Sequence, residues 1–272
     1  MMYNLKNKTA VITGAGGKQG IGRSIALRLA SEGANIVIND LKKNNKELNK
    51  LEKLIEKKHS KCLSICGDIS ESEFTKELVN KVMIKFKKID ILINNAAASA
   101  KFDRVPIINL KESVWDNIHN VNLRGTFLCC KYTAKEMIKQ NTGGKIINIS
   151  SSVGKDYVKE NYGAYSSSKF AMRGLTQVLA KELGKYKITV NAICPGAIIT
   201  ERTNNIVKSL YKKEVNLNKA IKIYSNENIN ETPLGRLCTT EDVSKLTAFL
   251  CSKEADFITG KSITLDGGKS TD

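Results

Sequence analysis

Metal-binding side chains are scarce in this 272-residue chain. It has two histidines, His59 and His119, and seven cysteines, no two of which form a C-x-x-C pair. No metal site is therefore expected. His59 follows a run of lysines and is expected at the surface; His119 falls in a helical pattern and is expected to be structural. Cys62, Cys66, Cys129, Cys130, Cys194, Cys238 and Cys251 are odd in number and sit mostly in apolar segments, which fits buried reduced thiols. No apolar run approaches the roughly 18 residues of a membrane span. The opening MMYNLKNKTAVITG lacks a signal-peptide layout, so a cytoplasmic protein is expected. Acidic residues are outnumbered, 27 against 44 Lys+Arg, for a formal charge of +17. The excess is mostly Lys on helix faces such as 42–61, without interleaved aromatics to stack bases, so nucleic-acid binding is not expected. There is no internal repeat and no linker, which argues one domain over 1–272.

What the chain does have is an alternation of short apolar runs with helical periodicity. TAVIT (Thr9–Thr13) reads as a buried strand. GAGGKQGIG follows, and a helix begins at Ile21. Strand, glycine turn and helix are the setting in which a backbone approaches a pyrophosphate and a helix N-terminus meets it. Read as G-x5-G-x-G, the turn gives Gly14, Gly20 and Gly22 the main roles, with Gly16 and Gly17 inside it. A second strand, Asn35–Asn39, ends at Asp40, an acid placed to take both ribose hydroxyls of NAD and to repel the extra phosphate of NADP. Lys42 and Lys43 could offset that repulsion, and Asp40 could merely cap a loop. A charged helix is expected over 44–58 and a third strand over 61–66. Asp68 beyond it could accept from an adenine amino group or cap the helix near Glu71. A fourth strand, Ile89–Ile93, leads to Asn94-Asn95-Ala96-Ala97. Helical segments are expected over 111–120 and 125–139, separated by VNLRG. Within that separator Asn122 either pins a helix kink or holds a water near the active centre.

The segment Lys145–Ile149 reads as the fifth strand, with Ser151 near its end. A helix opens near Ala164 and carries Tyr165 and Lys169 on one face, one turn apart. A phenol beside an ammonium makes a base, and a neighbouring hydroxyl can hold the substrate oxygen. Alone, a Tyr and a Lys four residues apart mean little. Tyr162 is a rival for the acid–base role, but Ser166 stands where its lysine would be. A sixth strand, Ile188–Ile193, runs into Pro195-Gly196-Ala197-Ile198-Ile199-Thr200. The polar stretch Glu201–Glu231 reads as a lid helix or loop over a substrate pocket, and 99–108 as a second selecting loop. A helix over 239–250 and a strand, Ser262–Leu265, complete a doubly wound parallel sheet of the Rossmann type, a three-layer αβα domain.

These motifs, from TGAGGKQGIG through NNAA, VNLRG, the Ser151, Tyr165 and Lys169 set, and PGAIIT to the closing DGG, resemble the short-chain dehydrogenase/reductase family, including its 3-oxoacyl-acyl-carrier-protein reductase and glucose dehydrogenase members. The resemblance implies a seven-stranded parallel sheet and an NAD(P)-dependent oxidoreductase acting on a secondary alcohol or ketone. It implies that Gly14, Gly20, Ile21 and Gly22 line the pyrophosphate and that Asp40 takes the adenosine ribose. Asp68 and Ile69 would meet the adenine. Asn95 and Ala96, beside Asn94, would flank the ribose on the nicotinamide side. Pro195 and Gly196 would lie along the cofactor, with Ile198 and Thr200 at the carboxamide. Tyr165 would be the acid–base, Lys169 would lower its pKa and hold the nicotinamide ribose, Ser151 would orient the substrate oxygen, and Asn122 would support a water-linked proton path to Lys169. NAD is the expected cofactor, with NADP possible, and a homotetramer the expected assembly, built on the long helices and the last strand. Two departures stand out: the glycine turn is two residues longer than the family's G-x3-G-x-G, and Ala97 replaces the last glycine of NNAG. Other readings are an NADPH-dependent 3-oxoacyl-acyl-carrier-protein reductase and a catalytically silent nucleotide sensor.

Overall fold

The computed structural model describes residues 2–98, 103–211 and 216–270. Seven strands, β1 (Thr9–Thr13), β2 (Asn35–Asp40), β3 (Cys62–Cys66), β4 (Ile91–Asn94), β5 (Gly144–Ile149), β6 (Ile188–Pro195) and β7 (Ser262–Leu265), form one sheet in the order β3-β2-β1-β4-β5-β6-β7. Every pairing is parallel. The expected doubly wound sheet is therefore present.

The reason lies in period-two apolar sequence buried on both sides. In β1, Ala10 and Ile12 join one core cluster and Val11 the other; in β2, Ile36 and Ile38 oppose Val37; in β4, Ile91 and Ile93 oppose Leu92. The first face is closed by α1 (Ile21–Ser31), α2 (Asn45–Glu56) and α9 (Thr240–Leu250), through Ile25 and Leu29, Leu48 and Leu51, and Val243. The second is closed by α3 (Ser72–Phe86), α5 (Thr126–Gln140) and α6 (Gly163–Leu183), through Leu78 and Val82, Met137, and Leu183. Each such fully buried aliphatic side chain is worth about 1.5–3 kcal/mol over its exposed state, so the two faces together fix strand register.

Strand order reverses between β1 and β4, which opens a crevice at the C-terminal ends of the strands. Thr13 fastens this switch point. Its hydroxyl accepts from the Asn95 and Ala96 N–H groups, each at 3.1 Å, while the Asn95 side chain donates to the Thr13 and Gly14 carbonyls at 2.9 Å.

Some boundaries differ from those expected. β4 begins at Ile91 rather than Ile89, because the Ile89 N–H donates to the Gln140 side chain at 2.8 Å instead of joining the ladder. β6 runs on to Pro195, since β7 pairs with it as far as Leu265. VNLRG does not separate two helices. Asn120–Gly125 is a wide helical turn of π type that joins α4 (Glu112–His119) to α5 without a break. The segment expected as one lid helix or loop contains two helices, α7 (Glu201–Leu210) and α8 (Leu217–Asn230), with a small core of Val207, Ala220 and Tyr224 between them. Residues 212–215 of that segment, and 99–102 of the second expected loop, lie outside the described residues.

Candidate active site

Two adjoining cavities open at the C-terminal edge of the sheet. The larger, about 490 Å³, is lined by Gly14, Gly17, Gly20 and Ile21, then by Asp40, Asp68 and Ile69, and ends at Asn95, Ala96, Tyr165, Lys169 and Thr200. The smaller, about 130 Å³, is lined by Ser151, Tyr162, Tyr165, Pro195, Gly196, Ile198 and residues of α7 and α8. Tyr165 and Arg202 border both.

The crevice has the features a dinucleotide needs. Gly14 sits at φ +67°, and a Cβ there would lie 2.6 Å from the Ala96 Cα, so only glycine lets the β1 and β4 ends approach. Gly22 lines neither cavity; a Cβ on it would meet the Gly14 carbonyl at 2.6 Å, so its role is close packing of α1 against the turn. The two extra residues of the turn are accommodated by a bond from the Gly20 N–H to the Gly17 carbonyl. α1 begins at Ile21 with no side-chain cap and no acid in its first turn, a helix end suited to a phosphate. The Asp40 carboxylate accepts from the Gly16 N–H at 2.7 Å, the Leu41 N–H at 2.8 Å and the Asn44 amide at 2.7 Å. It is thus held at the rim, braced against the glycine turn, and Lys43 lines the same rim. Asp68 accepts from the Ser70 N–H and hydroxyl. It closes the loop before α3 while still lining the crevice.

At the inner end, α6 brings Tyr165 and Lys169 under the end of β5. Ser151 lies close to Tyr165, and both line the smaller cavity. Lys169 is 2 % exposed; its Nζ donates to the Ile149 carbonyl at 2.7 Å and lies 5.8 Å from the Tyr165 ring centroid. Burial pushes the Lys169 ammonium down to about 8, against the opposing effect of Tyr165. Burial alone would raise the Tyr165 phenol. The positive charges of Arg202, Lys169 and Arg104, in that order, and the nearby Ser151 hydroxyl outweigh it, so the phenol is more acidic than usual. Tyr162, the rival, is buried against Arg104 and its phenol is pushed up, first by burial.

Arg104 and Arg202 were not singled out in the sequence. Their guanidinium carbons lie 4.9 Å and 4.5 Å from the Tyr165 ring centroid. Arg202 is aimed by the start of α7, where Thr200 and Thr203 form a reciprocal cap and the Glu201 carboxylate accepts from the Lys18 N–H of the glycine turn. Only the general polarity of PGAIITER and FDRV could have marked these arginines, because their meeting depends on loops remote in sequence.

Asn122 lines neither cavity. Its carbonyl oxygen accepts from the Ala98 N–H at 2.8 Å and its amide donates to the Ser168 hydroxyl at 2.9 Å; Thr126 satisfies its backbone carbonyl at 2.7 Å. These bonds support the kink-pinning alternative. Asn94 is buried, donating to Asn148 at 2.8 Å. His119 stacks on Trp115 and bonds with the Ser167 hydroxyl at 3.1 Å. Among the described residues, no cluster could hold a metal ion and all seven cysteines are free.

The family model described as enoyl-(acyl carrier protein) reductase matches residues 14–270. A short-chain dehydrogenase/reductase of Armillaria gallica is 38% identical over 97% of this chain and 96% of its own. The diacetyl reductase [(S)-acetoin forming] of Staphylococcus epidermidis is 38% identical over 96% of this chain and 98% of its own. Among solved structures, an NAD⁺-bound xylitol dehydrogenase superposes with a TM-score of 0.87 at 30% identity, covering 97% of this chain and 99% of that one.

Proposed function

The chain belongs to the short-chain dehydrogenase/reductase family and is an NAD(P)-dependent oxidoreductase of alcohols and ketones, and from that premise we propose which residues carry the reaction and which cofactor it prefers. When bound, the nicotinamide supplies the hydride acceptor or donor. Gly14, Gly20 and Ile21 hold the pyrophosphate against the α1 N-terminus, with Gly22 allowing that helix to approach. Asp68 and Ile69 bound the adenine; Asn95, Ala96, Pro195, Gly196, Ile198 and Thr200 bound the nicotinamide half. Asp40, with its oxygens turned to the rim by the Gly16 and Asn44 bonds, selects NAD over NADP.

Tyr165 takes the hydroxyl proton in oxidation and returns it to the carbonyl oxygen in reduction. Ser151, which lines the smaller cavity with that phenol, steadies the same oxygen. Lys169 keeps the phenol acidic while protonated. Asn122 is a positioning residue: it ties the 96–98 loop to α6 through Ala98 and Ser168. The carrying observation is the convergence of Ser151, Tyr165 and Lys169 at the junction of the two cavities, with the phenol acidified despite its burial. A spectrophotometric screen of NADH and NADPH oxidation against small ketones, diketones and oxo acids tests the reading. NADH-dependent turnover supports it; tight NADH binding with no turnover on any carbonyl would favour the silent sensor.

The segment 201–231 acts as the lid. The protein assembles as a homotetramer, for which the apolar side chains left exposed on α5 and α6, Phe127, Phe170 and Val178, supply a contact face. Light scattering that returns a monomer would refute this. Free buried thiols suit a reducing compartment such as the cytoplasm.

A further inference from the structure

The smaller cavity is unusual in its charge. Its lining includes Arg104, Lys159, Arg202 and Lys269, and among the described residues no carboxylate. Lys159 and Lys269 have a counter-ion close by in Glu231, which also accepts from the Tyr157 hydroxyl. The arginines are less well matched. Arg104 is 3 % exposed, yet its Nε and Nη1 have no hydrogen-bond acceptor; the Asp103 carboxylate lies 2.9 Å from Nη1 but in poor geometry, and itself lacks a donor at that oxygen. Arg202 likewise has a buried Nη2 with no acceptor. Buried guanidinium N–H groups without acceptors are costly and rare. Two guanidiniums with such groups, both lining one small cavity, make a place for an anion, and guanidinium geometry suits a carboxylate.

Resting on the dehydrogenase reading above, we propose that the substrate is a short hydroxy acid, or the corresponding oxo acid, whose carboxylate is held by Arg104 and Arg202 while its carbinol or carbonyl oxygen meets Tyr165 and Ser151. Both guanidinium carbons lie within 5 Å of the Tyr165 ring centre. With hydrogen bonds of about 3 Å at each end, the carboxylate carbon is adjacent to the reacting carbon or one carbon removed. A short acid of this kind fits the cavity of about 130 Å³.

The test compares kcat/KM with NAD⁺ for matched acids and amides, lactate against lactamide and 3-hydroxybutyrate against 3-hydroxybutanamide. The wild type should prefer the acid of at least one pair by about 100-fold, as expected for two charge-assisted contacts. That ratio should fall at least tenfold in Arg104→Met and in Arg202→Met, and recover partly in Arg104→Lys. A ratio near one in the wild type, or one that the substitutions leave unchanged, overturns the proposal; arginines that only acidify the phenol would lower both rates equally. Independently, malonate should bind the enzyme–NADH complex in calorimetry, at least tenfold more weakly in Arg202→Met. Neutral alcohols turned over without malonate binding would sink the anion site and leave the dehydrogenase reading standing. Malonate binding without turnover of any alcohol would support the anion site and sink the assigned chemistry.

Discussion

Replacing Asp40 by Ser is the sharpest test of cofactor choice. The carboxylate lies at the mouth of the crevice and accepts three hydrogen bonds of 2.7–2.8 Å. Bound NAD would give Oδ2, which has one acceptor site left, a further hydroxyl donor, and a charge-assisted bond of this kind is worth about 1.5–3 kcal/mol. NADP would instead place a phosphate of charge about −1.5 to −2 against it. At 4 Å two unit charges repel by about 1 kcal/mol in water and about 4 kcal/mol at an effective dielectric of 20. Asp40 is half-buried at an open rim, so the lower end applies, and the penalty on NADP is about 2 kcal/mol, roughly thirtyfold. Serine removes that charge, leaves the neighbouring Lys43 unopposed and weakens the ribose contact. The ratio of kcat/KM for NAD over NADP should therefore fall by about two to three orders of magnitude. Steady-state rates with both cofactors at fixed substrate measure it. A ratio that moved less than about threefold would show that Asp40 does not read the ribose, and the rim assignment would fail.

Lys169→Met should abolish most activity yet raise stability at neutral pH. The native ammonium is depressed from its usual 10.5 to about 8, so the unfolded chain binds more protons and stability rises with pH. The cost of the buried charge is fully present below pH 8 and is relieved as pH climbs toward 10.5. It amounts to about 3 kcal/mol, offset by about 1 kcal/mol for the lost bond to Ile149. Thermal melts at pH 7 and pH 10 should show the variant's advantage shrinking at the higher pH; no advantage at pH 7 would contradict the burial argument. Thr13→Val leaves the Asn95 and Ala96 N–H groups without their acceptor, so it should cost about 2–4 kcal/mol and raise KM for the cofactor; an unchanged melting temperature would refute it. Asp242→Asn weakens the cap of α9 and the Arg236 pair, costing about 1 kcal/mol at pH 7. Because the Asp242 carboxyl is held down to about 2, first by its Arg236 hydrogen bond, this contribution persists above the ordinary 3.8 and is lost as pH falls through about 2. Melts of wild type and variant should converge there.

Much of the fold was legible because β-branched runs leave little choice. Such runs predict Thr9–Thr13 and Ser262–Leu265 with the bounds observed. The expected boundaries fail where side-chain hydrogen bonds set the local geometry. Gln140 captures the Ile89 N–H and shortens β4, and Thr126 and Ser168 bond to Asn122 where two helices join through a wide turn. No periodicity signals either event. In the site, Tyr165 and Lys169 were visible because helical spacing alone places them on one face. Asp40 was visible because a strand end fixes it. Arg104 and Arg202 are hidden: one acts on Tyr165 from a loop and the other from the first turn of α7, segments brought together only by the sheet's crossovers.

The chemistry proposed for this site depends on the Tyr165 phenol carrying the proton. The measurement that tests it most directly is kcat of Tyr165→Phe on a substrate the wild type turns over, with NADH affinity followed by fluorescence. If the phenol carries the proton, kcat falls by at least about 100-fold with NADH affinity held within about threefold. Turnover near that of the wild type, with NADH bound as before, would contradict it.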